Sequence, residues 1–356
     1  MKKKVLISTG GSGGHVIPAL IFHEHLKDNF DVCLSSDRRG MQYLKREKYK
    51  VKIINTPKFT KNFFLLPFKI FLILYLTLKS LFFLKKEKID ILISTGGYMS
   101  LPLCLASKIL KIKIFLFEPN MVIGKANRLF LSFCKKIICY SDTIINFPKK
   151  FQKKIVLIKS LLRKEFYSIK SRDQIGKEIN LLIIGGSQGA ELFDVAIKDT
   201  VIKLSKRYDL KVFQQISIKN YENLKNFYSD NQIKNELFDF NENIFDFMTK
   251  VNLCITRAGA STLAELTFLN IPYLAIPLPH AKDNHQLENA LFYKKLGCNW
   301  VLSQNELNEI SLTGKIIKMI DNKEEYLEKK KNIKNFIFQN SWNNINQKII
   351  SIINEN

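Results

Sequence analysis

Short apolar runs recur along the chain, and the segments between them are long enough for helices. The first series consists of KVLIS, DVCLS, VKIIN, DILIS, KIFLF and KIICYS, which start at Lys4, Asp31, Val51, Asp90, Lys113 and Lys136. The second series consists of NLLIIGG, KVFQQI, NLCIT, YLAIP and NWVLS, which start at Asn180, Lys211, Asn252, Tyr273 and Asn299. Buried strands that alternate with helices are typical of doubly wound parallel sheets. The pattern therefore predicts the α/β class, with the same architecture occurring twice.

Three strands end in similar glycine loops, which supports the duplication. These loops are ISTGGSGG, ISTGGYMS and IIGGSQGA. Ligands of such sheets bind at the carboxyl ends of the strands. We therefore expect two Rossmann-like domains whose loops face a shared interdomain cleft, with a linker in the polar stretch 168–178.

The segment FFLLPFKIFLILYLTLKSLFFL, residues 63–84, approaches the length of a membrane span. Pro67, Lys69 and Lys79 interrupt it, and it lies between two predicted strands, so a spanning helix would pull the domain apart. We favour a helix that packs on the sheet with an apolar outer face, and a fully buried helix is the other alternative. The lysines that flank it suit anionic lipid headgroups: Lys58, Lys61, Lys85, Lys86 and Lys88.

The charge balance is strongly basic, with 56 Lys and Arg against 32 Asp and Glu, a net charge of +24. Nucleic acid, an anionic membrane and phosphorylated substrates could each explain it. No zinc-finger, recognition-helix or RNA-binding motif accompanies the charge, so we expect no nucleic-acid partner.

The six cysteines form no Cys-x-x-Cys pair, which predicts neither disulfides nor a zinc site. MKKKVLIST reaches its glycine loop too early for a signal peptide, which predicts a cytoplasmic protein.

The loop in VLISTGGSGGHVIPAL has the composition of a phosphate or pyrophosphate cradle. Glycines between a strand and a helix let an anion approach the backbone N–H groups and the positive end of the helix dipole. The sequence is not a dinucleotide fingerprint, because Val16 stands where the third glycine belongs. His15 would direct its imidazole at the bound group. A tight turn that binds no ligand is the alternative.

A second candidate cradle lies in TRAGASTLAEL, where Arg257, Gly259 and Ser261 end a strand and open a helix. Glu265 follows about one turn later, at a depth where a carboxylate commonly accepts both ribose hydroxyls. Because no Asp-x-Asp motif follows a strand, we expect helix dipoles and Arg257 to replace a metal ion.

The neighbouring segment IPLPHAKDNHQLENA supplies polar side chains near the start of the next helix. His285, Gln286 and Asn289 are spaced so that all three can point into the same cleft, with their polar ends toward a sugar. Helix capping and solvent exposure are the alternative explanation.

These motifs together resemble those of the MurG glycosyltransferases. TGGSGGHVIPAL, TGGYMSLPLCLA, EPNMVIGKANR, GGSQGA, RAGASTLAE and DNHQLENA occur in that family's order and spacing over nearly the whole chain. The resemblance implies a GT-B fold and an enzyme without a cofactor. It also implies inverting transfer of N-acetylglucosamine from UDP-N-acetylglucosamine to undecaprenyl-pyrophosphoryl-muramyl-pentapeptide in peptidoglycan synthesis. The enzyme would then be peripheral on the cytoplasmic face of the inner membrane.

The resemblance also implies site residues. Those on the donor side are Ser12, Gly13, Gly14, Asn120, Arg163, Ser187, Gln188, Arg257, Glu265, Gln286 and Asn289. Those on the acceptor side are Gly11, Gly97, Tyr98, Glu118 and Asn127. His15 would be the catalytic base or a ligand of the acceptor pyrophosphate. Two motifs depart from the family: FEPN replaces His-Glu-Gln-Asn at residues 117–120, and SLLR replaces Asn-Pro-Val-Arg at residues 160–163.

The expected domains are an acceptor and membrane domain over 1–160 and a donor domain over 161–339, with the helix at 340–356 packing back on the first. Two other functions remain open. A lipid glycosyltransferase that acts on diacylglycerol would share the donor half and differ in the N-terminal loops. A non-enzymatic nucleotide-sugar or membrane-binding module would have a cradle but no ordered donor set.

Overall fold

The chain divides into two units by its internal contacts, Met1–Leu162 with Asn340–Asn356 and Arg163–Gln339. The computed structural model describes residues 2–44, 48–57, 66–169, 178–186, 190–239, 244–279 and 281–355. The boundary between the units falls between Leu162 and Arg163, before the polar stretch 168–178 that was predicted as the linker. Residues 170–177 of this stretch lie outside the residues that the structure describes. The chain already belongs to the second unit before this stretch, because Phe166 is buried against Phe245, with ring centres 5.0 Å apart.

The described part of the first unit contains one parallel sheet with the strand order β3-β2-β1-β4-β5-β6-β7. Its strands are β1 Lys4–Ser8, β2 Asp31–Ser36, β3 Val51–Ile53, β4 Ile91–Ser94, β5 Lys113–Glu118, β6 Lys136–Cys139 and β7 Ile155–Leu157. Its helices are α1 Gly13–Leu26, α2 Leu66–Lys86, α3 Leu101–Ile109 and α4 Lys125–Phe130, joined by the chain's last helix. The strand order reverses between β1 and β4, so the crevice expected to bind ligands lies at their carboxyl ends.

Both faces of this sheet are covered, because successive strand residues point to opposite sides. Val5 and Ile7 of β1 pack in the cluster that holds α1, and Leu6 packs in the one that holds α3. Burial on both sides explains why the strands are almost continuously apolar.

The described part of the second unit repeats the plan with the strand order β10-β9-β8-β11-β12-β13, again all parallel. Its strands are β8 Glu178–Ile184, β9 Asp209–Gln215, β10 Lys234–Phe238, β11 Leu253–Thr256, β12 Tyr273–Ala275 and β13 Trp300–Val301. Its helices are α5 Ala190–Ala196, α6 Lys198–Ser205, α7 Tyr221–Asp230, α8 Ile244–Met248, α9 Ala260–Phe268, α10 His285–Lys295, α11 Glu309–Asp321 and α12 Lys323–Ile337.

The last helix, α13 Trp342–Asn354, belongs to the first unit. It begins at Ser341, whose side chain accepts a hydrogen bond from Asn344 N. Its isoleucines recur at helical spacing and are buried in the cluster with α1 and β1: Ile345, Ile349, Ile352 and Ile353.

Every strand that the apolar runs predict is present, and two were missed. The missed strands, β7 and β10, lie at the edges of their sheets. Both are partly exposed. β10 reads KNELF and has no apolar run, whereas β7 reads IVL and was overlooked although it is apolar. The six cysteines, for which the sequence predicts no disulfides, are buried free thiols.

Candidate functional site

The first unit brings His15 against the loops that follow β1 and β4. Nδ1 of His15 lies 2.8 Å from the carbonyl oxygen of Thr95. A carbonyl can only accept, so Nδ1 carries the proton and the neutral ring has its lone pair on Nε2. A Cβ atom on Gly97 would lie 3.4 Å from this Nε2. The bond to Thr95 therefore selects the tautomer in which Nε2 can accept a proton.

Glycine is required at two predicted positions in these loops. Gly11 and Gly97 have φ angles of 79° and 81°, a conformation that L side chains rarely adopt. A Cβ on Gly11 would lie 2.6 Å from Cε of Met99, and one on Gly97 would collide with Sδ of the same methionine. Both loops therefore keep bare backbone where they meet.

The predicted residues Ser12, Gly13 and Gly14 form the start of α1. Ser12 is the N-terminal cap by position, its side chain makes no capping bond, and its carbonyl accepts from Val16 N. The first turn thus presents its N–H groups and the positive end of the helix dipole beside His15.

Glu118 accepts hydrogen bonds from two further predicted residues of the first unit, Asn120 and Asn127. Its Oε1 accepts from Asn120 Nδ2 at 2.9 Å, and its Oε2 accepts from Asn127 Nδ2 at 3.0 Å and from Gly124 N at 2.8 Å. Asn127 Nδ2 also lies 3.4 Å from the position of a Cβ on Gly96. Glu118 therefore holds the loop after β5 beside the β4 glycine loop.

Phe117, where this chain departs from the MurG motif, does not belong to that loop surface. Its ring is buried 5.2 Å from that of Phe22 and 5.6 Å from that of Tyr140, measured between centres. Position 117 therefore lies in the core of the first unit.

An aspartate that sequence reasoning missed ties β2 to the first glycine loop. Asp37 directly follows β2 and is buried, and its Oδ1 accepts from Gly11 N at 2.8 Å and from Gly40 N at 2.9 Å. Its Oδ2 accepts from Arg39 Nε at 2.9 Å and from Arg39 Nη2. The available signal was an acidic residue and a glycine directly after an apolar strand, in SSDRRG.

In the second unit, Gln286 and Asn289 meet at Ala258. Oε1 of Gln286 accepts from Ala258 N at 3.2 Å and from Leu278 N at 3.0 Å. Nδ2 of Asn289 donates to the Ala258 carbonyl at 3.1 Å, and Asn289 is 1% exposed. Both side chains thus fix the backbone after β11, a structural task that the sequence did not predict. His285 is half-buried at the start of α10.

Arg257, which was predicted on the donor side, is 6% exposed. Its Nη1 donates to the carbonyls of Ile276 and Pro277 at 3.1 and 3.4 Å, and its guanidinium lies 5.0 Å from the centre of the Phe193 ring. Burial lowers the pKa of Arg257. Its backbone N–H bonds to Ile184 of β8, so the two central strands of this sheet end side by side.

Glu265 is buried in α9 and faces Arg163. Arg163 Nη2 lies 3.5 Å from Glu265 Oε1. Burial raises the pKa of Glu265, and the charge of Arg163 offsets only part of this rise. The arrangement brings together two residues predicted on the donor side.

Ser187 and Gln188 lie outside the described residues. The loop that leads to them is held at Gly186, whose N–H donates to Oε1 of the buried Gln215 at 2.8 Å. Gln215 was not predicted, although a polar pair at the end of the apolar strand KVFQQI was a usable signal.

Helix α2 turns apolar side chains outward. Along it, Phe68, Phe71, Leu74, Leu78 and Phe82 are exposed by 55–77%. The opposite face packs on α3, and there Lys69, Thr77 and Ser80 are buried. By length and composition α2 could cross a membrane, as the segment Pro67–Lys86 has a mean hydropathy of 1.7. The alternative of a fully buried helix is wrong.

No cluster of three or more His, Cys, Asp or Glu side chains suited to a metal ion occurs among the residues that the structure describes.

Comparison with known proteins agrees with this arrangement. Residues 5–139 match the glycosyltransferase family 28 N-terminal domain, and residues 180–345 match the family 28 C-terminal domain. The chain belongs to glycosyltransferase family 28. Over all 356 residues it is 58% identical to the UDP-N-acetylglucosamine--N-acetylmuramyl-(pentapeptide) pyrophosphoryl-undecaprenol N-acetylglucosamine transferase of Pelagibacter ubique (strain HTCC1062), covering 100% of both chains.

Further relatives of this family 28 chain point the same way. The enzyme of the same name from Rickettsia bellii (strain RML369-C) is 32% identical over 329 residues, covering 90% of this chain and 91% of its own. The crystal structure of Acinetobacter baumannii MurG superposes with a TM-score of 0.76 at 25% identity, covering 99% of both chains. The predicted resemblance to MurG and the GT-B fold class of two parallel-sheet domains are therefore confirmed.

Proposed function

We propose that this protein transfers N-acetylglucosamine from UDP-N-acetylglucosamine to the muramyl-pentapeptide pyrophosphoryl-undecaprenol intermediate of peptidoglycan synthesis. The observation that carries the proposal is the 58% identity over the full length to a transferase whose name describes this reaction. The transfer inverts the anomeric centre and uses no metal or other cofactor. UDP-sugar and lipid-linked acceptor are the two partners.

The second unit binds the donor; it spans Arg163–Gln339, and the bounds predicted for this domain were 161–339. Glu265 accepts hydrogen bonds from the ribose hydroxyls, and Arg163 steadies its carboxylate from 3.5 Å. Gln286 and Asn289 keep the backbone around Ala258 in place for the nucleotide. Ser187, Gln188 and Arg257 supply the phosphate side of this set. The other residues predicted on the donor side belong to the first unit: Ser12, Gly13, Gly14 and Asn120.

The first unit, predicted over 1–160 with 340–356, binds the acceptor. The residues that contact the acceptor are Gly11, Gly97, Tyr98, Glu118 and Asn127. His15 takes the proton of the acceptor hydroxyl on Nε2, the lone-pair nitrogen set by its bond to Thr95. The hydroxyl oxygen then bonds to the anomeric carbon, and the bond from that carbon to UDP breaks with its electron pair leaving on the diphosphate. In the alternative role, His15 hydrogen-bonds the acceptor pyrophosphate.

Helix α2 holds the enzyme on the cytoplasmic face of the inner membrane, where its acceptor resides. Its exposed Phe and Leu side chains suit shallow insertion, and Lys79, Lys85, Lys86 and Lys88 are exposed beside them. A spanning orientation is disfavoured because α2 packs on α3 and its Leu84 lies in the core of the first unit. Lys58 and Lys61, also predicted to contact headgroups, lie outside the described residues.

Incorporation of radiolabelled sugar from UDP-N-acetylglucosamine tests the acceptor class directly. We expect label in a polyprenyl-pyrophosphoryl-muramyl-peptide and none in diacylglycerol. Labelled diacylglycerol would instead identify a lipid glycosyltransferase of the other class. Tight UDP binding without transfer to either acceptor would indicate a binding module.

A further inference from the structure

Arg39 lies between the two glycine loops of the first unit. Its Cζ is 5.2 Å from the centre of the Tyr98 ring, in the loop after β4. Its Nη2 is 3.9 Å from the position of a Cβ on Gly11, in the loop after β1. The side chain is 37% exposed, so solvent and ligands can reach it.

Asp37 fixes this guanidinium in place. Both Nε and Nη2 of Arg39 donate to Oδ2 of Asp37, and the other carboxylate oxygen is occupied by the N–H groups of Gly11 and Gly40. Burial opposes ionisation, but the two backbone N–H groups and Arg39 hold the pKa of Asp37 below its usual value. Arg39 is thus a preorganised cation, unlike a lysine that moves freely in solvent.

The guanidinium keeps capacity for a ligand. Its bonds to Asp37 use two of its five N–H donors. Beside it, Gly11 cannot carry a side chain, because a Cβ there would lie 2.6 Å from Cε of Met99. A cation therefore stands next to bare backbone, the combination that suits an anion with several oxygens.

We infer that Arg39 binds the pyrophosphate of the lipid-linked acceptor and that Asp37 positions it. The inference rests on the proposed function and adds to it a binding residue. His15 lies against Gly97 on the second loop, with 3.4 Å between its Nε2 and the position of a Cβ there. The cation and the base thus flank the same pair of loops.

Steady-state kinetics of the full-length protein test Arg39. For Arg39→Ala we expect the KM for the acceptor to rise at least about tenfold, since a charge-assisted hydrogen bond is lost. The KM for UDP-N-acetylglucosamine should stay within about twofold, because Arg39 belongs to the acceptor unit. Arg39→Lys keeps the charge but loses the planar guanidinium. Its KM for the acceptor should therefore lie between those of the unmodified protein and of Arg39→Ala. Arg38→Ala is the matched control: it removes the same charge from the exposed neighbouring residue and should leave both KM values within about twofold.

A binding measurement with farnesyl pyrophosphate and farnesol separates this inference from the proposed function. The unmodified protein should bind the pyrophosphate more tightly, and Arg39→Ala should lose that preference while Arg38→Ala keeps it. An unchanged acceptor KM with a retained preference overturns the inference and leaves the transferase proposal standing. Loss of thermal stability with both KM values rising together would show a purely structural role. If Arg39→Ala does not fold, Arg39→Lys gives the same comparison.

Discussion

Nη2 of Arg163 lies 3.5 Å from Oε1 of Glu265, and this carboxylate is buried in the helix that opens after β11. A buried charge with one partly exposed partner is an expensive arrangement in a folded protein. The raised pKa of Glu265 records that cost. Groups with perturbed pKa values cluster at functional sites, which agrees with a ribose-binding role.

Replacing Glu265 by Ala should weaken the binding of UDP and of UDP-N-acetylglucosamine to a similar extent. We expect a loss of about 2–3 kcal/mol in binding free energy, because hydrogen bonds to a carboxylate are charge-assisted. Isothermal titration calorimetry measures both ligands. An unchanged affinity for UDP would remove Glu265 from the donor site.

Glu265→Gln should make the unliganded protein more stable at neutral pH. Burial raises the folded-state pKa of Glu265 above its unfolded value, so its favourable contribution is complete below the unfolded pKa and is lost as the pH rises through the folded pKa. The Tm of Glu265→Gln should therefore exceed that of the unmodified protein at pH 7. The difference should shrink as the pH falls toward about 4.3, the usual pKa of a glutamate. A lower Tm at pH 7 would show that the pair with Arg163 stabilises the fold.

His15→Ala should reduce turnover much more than donor affinity. As a general base on the acceptor side, His15 should account for at least about 100-fold in kcat. His23→Ala is the control: His23 lies on the same helix α1 but packs its ring 5.0 Å from that of Tyr49, and we expect less than about threefold change. Near-normal turnover of His15→Ala would end the base assignment and leave the pyrophosphate-ligand role.

Gln286→Leu should destabilise the second unit and weaken UDP binding, because Oε1 of Gln286 satisfies the N–H groups of Ala258 and Leu278. Leaving such donors without a partner costs about 1–3 kcal/mol of unfolding free energy. Gln286→Glu retains an oxygen for both donors and is the matched control. Denaturant unfolding measures the free energy of unfolding of both variants. Equal values for Gln286→Leu and Gln286→Glu would contradict the role of Gln286 in holding the backbone at Ala258 and Leu278.

Flotation with liposomes tests the membrane role of α2. Attraction of about 1 kcal/mol per lysine near an anionic surface should make binding weaker in high salt and weaker on neutral vesicles. Replacing Phe71 and Phe82 by Ser should lower recovery at least about tenfold. Ile310→Ser, which alters an 81% exposed side chain of the other unit, should not. Binding that survives high salt and alkaline carbonate would instead indicate a spanning helix. No recovery on anionic vesicles would show that α2 does not bind membranes.

The sequence predicted the central strands because they are apolar on both faces, and it missed β10 because KNELF has no apolar run. It also overlooked β7, although its short run IVL is apolar. It singled out His15 and Glu265 as candidates by their positions beside glycine loops. It could not show that Asn289 would bind a backbone carbonyl, nor that Asp37 would reach Gly11 across 26 residues of chain. Such contacts depend on which strands become neighbours, and that information appears only after folding.

The most direct test of the proposed reaction is mass spectrometry of the acceptor and nucleotide products. The protein is incubated with UDP-N-acetylglucosamine and undecaprenyl-pyrophosphoryl-muramyl-pentapeptide, with Glu265→Ala as the control. We predict an acceptor heavier by one N-acetylhexosamine residue and one molecule of UDP released for each molecule formed. UDP-N-acetylglucosamine that is hydrolysed, epimerised or left intact, with no change in the acceptor's mass, would contradict the account.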